Sequence, residues 1–436
     1  MALLTTMVAA REHYPPAPLI VDGDDQLWLA DVEAADIGSL EALSRPSVVA
    51  LVGDFDAWSI RCLLALLEAG HVVVPLTDDT RSQHAHFLAA SHADHLLQAG
   101  RLQPLPAPPQ PCPPLLEALL AAGSGGLVLF TTGTTGAPKA ILHRAESLTG
   151  RFARRRPALV SLGFLLFDHI GGLNTLLHLA FNGGTLVRTR ARQVEPVLDL
   201  CRRHGVELLP TTPTFLRMLG LYPDLAAAVP TSLRLISYGT ERMDPGTLRR
   251  LQALLPAVQF RQTYGLSELG ILPVRSRASD SVYFRIGDDD GVRVRIRDGS
   301  LQILAPGRML GYLNAPSPFD ADGWLDTGDL VEVDADGWYT ITARRGAVIN
   351  VGGLKVLPAE IEDVALGFAG VLRCRARGVA NPITGEYAEL LVEPAPGTSL
   401  DPAALGAHLA AALPPWKCPA RIRCGPLEVS HRMKQR

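Results

Sequence analysis

Apolar and polar positions alternate along the chain in blocks that read as strands and helices. Val48-Val49-Ala50-Leu51-Val52, closed by Gly53, is an unbroken apolar run of strand length. A helix-like segment follows from Ala57 to Ala69, then Gly70 and a second apolar run, His71-Val72-Val73-Val74-Pro75-Leu76. Strand, helix, strand at this spacing predicts a βαβ unit with parallel pairing. The Pro-rich stretch Gln103 to Pro114 reads as a linker into a helix over Leu115 to Ala122. Leu127 to Phe130 is a short buried strand. Glu146 to Arg156 reads as a helix ending in arginines, and Thr175 to Phe181 as an apolar helix. Val206 to Leu209, Leu233 to Ser237, Gln259 to Gln262 and Trp338 to Thr342 are further strands. Most of them run into a polar loop containing Gly or Pro. Loops at the carboxyl ends of parallel strands are where open α/β sheets bind ligands.

Composition narrows the class. The 436 residues, 47% hydrophobic and 19% charged, allow a large domain with a smaller one and argue against extensive disorder. Lys+Arg 41 against Asp+Glu 44, a formal charge of −3, argues against a general nucleic-acid or acidic-membrane surface. The six cysteines are scattered with no CxxC pair, so neither a zinc site nor a disulfide framework is expected and a reducing cytoplasm is the default. The first residues lack a basic leader and are interrupted by Arg11, Glu12 and His13, unlike a signal peptide. No apolar run reaches the roughly 18 residues a membrane helix requires.

The candidate chemistry centres on Thr131-Thr132-Gly133-Thr134-Thr135-Gly136-Ala137-Pro138-Lys139, directly after the strand Leu127 to Phe130. Gly133 and Gly136 let backbone fold closely around a polyanion. The threonine hydroxyls and backbone N–H groups can donate to phosphate oxygens, and Lys139 adds a cation. A kinase-type P-loop needs four residues between its glycines and a lysine directly after the second. Here only Thr134 and Thr135 separate the glycines, and Ala137-Pro138 precede the lysine, so that reading fails.

The string resembles the signature loop of the adenylate-forming superfamily: acyl- and aryl-CoA synthetases, luciferases and peptide-synthetase adenylation domains. Four further segments follow in family order, and the resemblance covers about residues 125 to 436. Tyr264-Gly265-Leu266-Ser267-Glu268 is similar to the second signature. The resemblance implies that Tyr264 stacks on adenine, Gly265 lies in the nucleotide turn, Ser267 reaches the α-phosphate, and Glu268 holds Mg²⁺. Gly239, Thr240 and Glu241 would flank adenine and the acyl pocket. Phe164-Leu165-Leu166-Phe167-Asp168-His169-Ile170-Gly171 resembles the acyl-pocket segment, with His169 beside the reacting carboxylate. Asp329, in Asp326-Thr327-Gly328-Asp329, would accept both ribose hydroxyls, and Arg344 would contact the ribose or phosphate edge. Ala343 stands where the family has glycine, and Gly346-Ala347 where a polar hinge pair is usual. Gly352-Gly353 would face a pantetheine arm.

The family places a catalytic lysine near the end of the chain. Lys434 is the candidate, although Met433 replaces the usual glycine. With it, Thr132, Lys139, His169 and Glu268 form the expected catalytic set. Thr131, Gly133, Thr134, Thr135 and Gly136 complete the phosphate cradle.

The resemblance therefore implies an α/β fold. A large domain over 1–342, built of mixed β-sheets with flanking helices, would be followed by a small mobile α+β lid over 343–436. Against the family the portion before the phosphate loop is short. The implied activity is ATP- and Mg²⁺-dependent activation of an aryl or acyl carboxylic acid as its adenylate, with release of pyrophosphate. Transfer to CoA or to the phosphopantetheine arm of an acyl carrier protein would follow. Phe164, Phe167, His169, Gly171, Tyr238 and Leu266 suggest an apolar acid pocket. Two alternatives stay open: adenylation of a non-carboxylate oxyacid, and a nucleotide-binding homologue without turnover.

Overall fold

A computed structural model of the chain describes residues 3–33, 40, 42–108, 110–131, 137–287, 291–382 and 384–428, with the backbone alone at 151 and 153. The two apolar runs read as βαβ are the strands Val48–Val52 and Val72–Leu76. They pair in parallel around the helix Ala57–Glu68, whose Asp56 caps it by accepting from Ser59 N at 2.8 Å. They lie in a seven-stranded sheet that also takes His95–Gln98 and Gly126–Phe130 in parallel. Its antiparallel members are Arg101–Pro104, Ala140–Arg144 and Gly311–Tyr312. Every residue of Val48–Val52 is buried because the sheet is covered on both faces. Val49 and Leu51 point into one core, Val48, Ala50 and Val52 into another beneath Phe87 and Leu116.

A second seven-stranded sheet runs Gln259–Gln262, Leu235–Tyr238, Leu208–Thr211, Val160–Gly163, Thr185–Arg188, Ile20–Asp22 and Asp25–Leu27. All pairings are parallel except the last. The carboxyl ends of its six parallel strands open in one direction, and the loops at 238–241 and 263–268 sit side by side there. The helices Ala57–Glu68 and Ile170–Phe181 share one core that joins the two sheets.

A six-stranded antiparallel sheet follows, with Leu325–Val333 paired to Tyr339–Arg344. The last sheet, built on the hairpin Val371–Asn381 and Gly385–Pro394, packs one face on the helices Pro358–Leu366 and Pro402–Ala412. It forms a small α+β unit with its own apolar core. The fold is thus the expected α/β arrangement of mixed sheets with flanking helices.

Three expectations of detail need correction. The helix read over Glu146 to Arg156 is only Ala145–Thr149 followed by a 3₁₀ turn at Gly150–Ala153; Ala145, Leu148 and Phe152 carry its buried face, and Arg154-Arg155-Arg156 offer no further apolar residue to extend it. The helix read from Thr175 begins at Ile170, because Gly171 and Gly172 pack where a larger residue would collide. A Cβ on Gly172 would lie 2.1 Å from the Leu166 carbonyl oxygen. Gln103 and Pro104, read as linker, close an edge strand, where proline is tolerated.

Candidate nucleotide site

The strands Gly126–Phe130 and Ala140–Arg144 are antiparallel neighbours, so the phosphate-loop motif joins them as a hairpin loop. Its mouth is closed by two bonds between its ends. Thr131 N donates to the Lys139 carbonyl at 3.2 Å, and Lys139 N donates to Thr131 Oγ1 at 3.4 Å. Thr132, Gly133, Thr134, Thr135 and Gly136 lie outside the described residues, as does Lys434.

Lys139 is exposed, and its Nζ sits 4.8 Å from the centroid of the Tyr312 ring. The Tyr312 hydroxyl donates to Glu268 Oε1 at 2.6 Å, which joins the lysine to the second signature segment. Asn314, two residues on, braces the same loop: its Nδ2 donates to the Pro138 carbonyl at 3.0 Å, and its Oδ1 accepts from Ala140 N at 2.8 Å. His143 Nε2 is 2.6 Å from the Ser267 carbonyl, a third tie between the two segments.

Tyr264 leads to the ribose candidates. Its hydroxyl donates to Asp329 Oδ2 at 2.6 Å inside the protein, and its ring stacks on Phe284 at 5.6 Å. Asp329 Oδ1 meets Arg344 Nε at 2.7 Å; the two are direct cross-strand partners in the antiparallel sheet. Alternation along Leu325–Val333 turns Leu325, Thr327, Asp329 and Val331 inward, so a carboxylate occupies a position the pattern would give to an apolar residue. Burial pushes the Asp329 carboxyl above the ordinary carboxylate range, opposed by the Arg344 guanidinium and the Tyr264 hydroxyl. The same burial and the neighbouring carboxylate push the Tyr264 phenol well up, so it stays a proton donor.

Gly239 and Thr240 lie beside this line. A Cβ on Gly239 would fall 2.3 Å from Thr263 Oγ1, so only glycine lets the two strand-end loops touch. Thr240 holds a left-handed φ of +73°, a conformation β-branched residues rarely adopt. Glu241 Oε2 accepts from Thr214 Oγ1 at 2.8 Å and from Thr214 N at 3.2 Å. His169 caps the helix Ile170–Phe181, its Nδ1 accepting from Gly171 N at 3.1 Å. Gly265 pairs with Ile271 in a short two-stranded ribbon.

Two lines of contact thus run Lys139, Tyr312, Glu268 and Tyr264, Asp329, Arg344, joined by the chain through Tyr264-Gly265-Leu266-Ser267-Glu268. Among the described residues no three His, Cys, Asp or Glu side chains converge to cage a metal. A lone carboxylate such as Glu268 suits Mg²⁺ carried in by phosphate oxygens, because that ion keeps most of its ligands from substrate and water.

Sequence reasoning did not pick out Tyr312, Asn314 or Arg242. Arg242 makes a two-pronged ion pair with Asp363 of the helix Pro358–Leu366, at 2.7 Å and 2.5 Å, and its Nε donates to the Ile341 carbonyl at 3.2 Å. The only signal for the first two is Gly311-Tyr312-Leu313-Asn314, a turn-like string. Its partners lie 44 and 176 residues away.

Among the described residues no helix is long and apolar enough to cross a membrane. Residues 126–319 match the family described as AMP-binding enzyme. The fatty acid–[acyl-carrier-protein] ligase ScoC of Streptomyces coeruleorubidus is 33% identical over 67% of this chain and 62% of its own length. The sulfoacetate–CoA ligase of Cupriavidus necator is 31% identical over 82% of this chain and 71% of its own. The anthranilate CoA ligase AuaEII, solved with anthranoyl-AMP, shares the fold with a TM-score of 0.83 at 17% identity, over 100% of this chain and 95% of that one.

Proposed function

Because the chain belongs to the AMP-binding enzymes of the adenylate-forming superfamily, we propose that it is an ATP-dependent, AMP-forming ligase for an aryl or acyl carboxylic acid. The acid's carboxylate oxygen bonds to the α-phosphorus of ATP, the bond from that phosphorus to the bridging oxygen breaks, and pyrophosphate leaves. A thiol, of CoA or of a carrier protein's phosphopantetheine arm, then takes the acyl group and releases AMP.

What supports this reading is a pair of contact lines: Lys139–Tyr312–Glu268 holds a cation and a metal-capable carboxylate, as the phosphate end of a nucleotide requires, and Tyr264–Asp329–Arg344 holds an aromatic ring and a ribose-capable carboxylate, as its nucleoside end requires. Lys139 and the threonine-glycine loop take the β- and γ-phosphates, with Thr131 at the mouth. Glu268 would hold Mg²⁺, which when bound would supply charge neutralisation at the phosphates. Ser267 reaches the α-phosphate. Adenine lies on the face of Tyr264 opposite Phe284, beside Gly239, Thr240, Glu241 and Gly265. Asp329 keeps a second lone pair on each oxygen to receive the ribose hydroxyls, and Arg344 works at the same edge. His169 borders the acid, and Lys434 on the lid formed by 343–436 bridges carboxylate and α-phosphate as charge develops.

Release of AMP and pyrophosphate, screened over aryl, alkyl and sulfonated carboxylic acids with and without CoA, tests the reading. Asp329→Ala should abolish turnover, and Lys139→Ala should lower it about 10²- to 10³-fold. Production of ADP alone, or no nucleotide binding, would refute it.

A further inference from the structure

The segment Gly311–Asn314 touches both limbs of the nucleotide site while belonging to neither signature. Gly311–Tyr312 adds as an edge strand to Ala140–Arg144, with Tyr312 opposite Ile141, which locks the tyrosine in register with the end of the phosphate loop. From there one side chain serves two partners. Its hydroxyl fixes Glu268 Oε1 at 2.6 Å, and its ring lies under Lys139 Nζ at 4.8 Å. Tyr312 is 9% exposed and packs on Ile141 and Met309, so its ring has little freedom to follow a wandering partner. Glu268 is held from its backbone as well, its carbonyl accepting from Met309 N at 2.7 Å.

We propose that Tyr312 is a positioning residue for the Mg·ATP site: it orients the Glu268 carboxylate for the metal and holds the Lys139 ammonium at the phosphates, coupling the two limbs through one rigid ring. This rests on the reading of Glu268 and Lys139 given above. The physical logic has two parts. A carboxylate oxygen engaged by a phenol turns its partner oxygen outward in a fixed direction, as second-shell donors do for metal-ligating groups. An ammonium drawn to an aromatic face is held in place by the ring quadrupole, and the N–H groups it does not turn to the ring stay free for an incoming anion. Asn314, which grips Pro138 and Ala140, holds the loop's far end independently of the tyrosine.

The two roles separate by substitution. Tyr312→Phe keeps the ring and its packing but removes the hydroxyl; Tyr312→Leu removes both. Binding of Mn²⁺ to the protein–ATP complex, read by electron paramagnetic resonance without any acid substrate, reports on Glu268. Binding of ATP in the presence of EDTA reports on Lys139. Tyr312→Phe should weaken Mn²⁺ about 10- to 100-fold, the usual cost of losing a second-shell donor, with metal-free ATP binding within twofold of wild type. Tyr312→Leu should also lose about two- to fivefold in metal-free ATP affinity, the size of an exposed cation–π contact. Wild-type Mn²⁺ affinity in Tyr312→Phe would overturn the proposal even if Tyr312→Leu failed to fold. Equal loss of both affinities in Tyr312→Phe would overturn it too, because that pattern marks general disruption. A wild-type protein that binds Mn·ATP but releases no pyrophosphate with any acid refutes the ligase reading and leaves this one standing; one that binds no nucleotide overturns both.

Discussion

Tyr264→Phe removes one oxygen from a buried pair and leaves the ring against Phe284. The lost bond is short, 2.6 Å, and runs to a carboxylate that is 6% exposed. Hydrogen bonds to charged groups are worth about 1.5–3 kcal/mol, and a buried acceptor left unpaired cannot recover that from water. Unfolding should therefore become about 10- to 150-fold more favourable, seen as a lower urea midpoint with an unchanged slope.

The pH dependence gives the stricter test. Burial already raises the Asp329 carboxyl above its unfolded value of about 3.9, so the folded state holds that proton more tightly than the unfolded chain does. Its contribution to stability is fully present below the unfolded pKa and is lost as pH rises through the folded one. Tyr264 opposes this by donating to the ionised form, so its removal raises the carboxyl further. The deficit of Tyr264→Phe relative to wild type should then be smallest at acid pH, where Asp329 is protonated in both proteins, and grow as pH climbs. A midpoint within about 0.5 kcal/mol of wild type at neutral pH, or a deficit that does not change with pH, would refute the pairing.

Three other outcomes follow from the same contacts. Single and double substitutions Arg242→Gln and Asp363→Asn should show a coupling energy of about 1–3 kcal/mol in a denaturation cycle, since the pair is two-pronged and three-quarters covered. Gly172→Ala, whose Cβ would meet backbone at 2.1 Å, should lower thermal stability by at least about 2 kcal/mol, whereas Gly346→Ala, with nothing within 4 Å, should be silent by the same scan. Lys139→Ala should lower kcat/KM for Mg·ATP by about 10²- to 10³-fold while leaving the melting temperature unchanged, since the side chain is exposed.

Much of the scaffold was legible because its signals are local. Val48–Val52 appears where its apolar run places it, Gln259–Gln262 where it is read, and Val72–Leu76 and the helix Pro114–Ala121 within a residue or so. Parallel pairing was legible from the intervening helix alone. The segments that the resemblance assigns to the nucleotide could be picked out because each is contiguous in the chain. The connections between them could not. Tyr312 meets Glu268, and Arg242 meets Asp363, across 44 and 121 residues, and no periodicity marks a side chain whose partner arrives by tertiary folding. Asp329 is singled out by its motif, and its inward orientation could have been read as well, because a carboxylate on the apolar phase of a strand breaks the alternation.

Thr240 shows what the site costs its scaffold. A β-branched side chain at φ +73° gives up about 1–3 kcal/mol that glycine would keep. Thr240→Gly should hence melt later than the natural protein. Should that tougher variant also handle adenine less well, the threonine would be marked as a residue chosen for the ligand against the interest of the fold, and any effort to make this protein more heat-resistant should leave it alone.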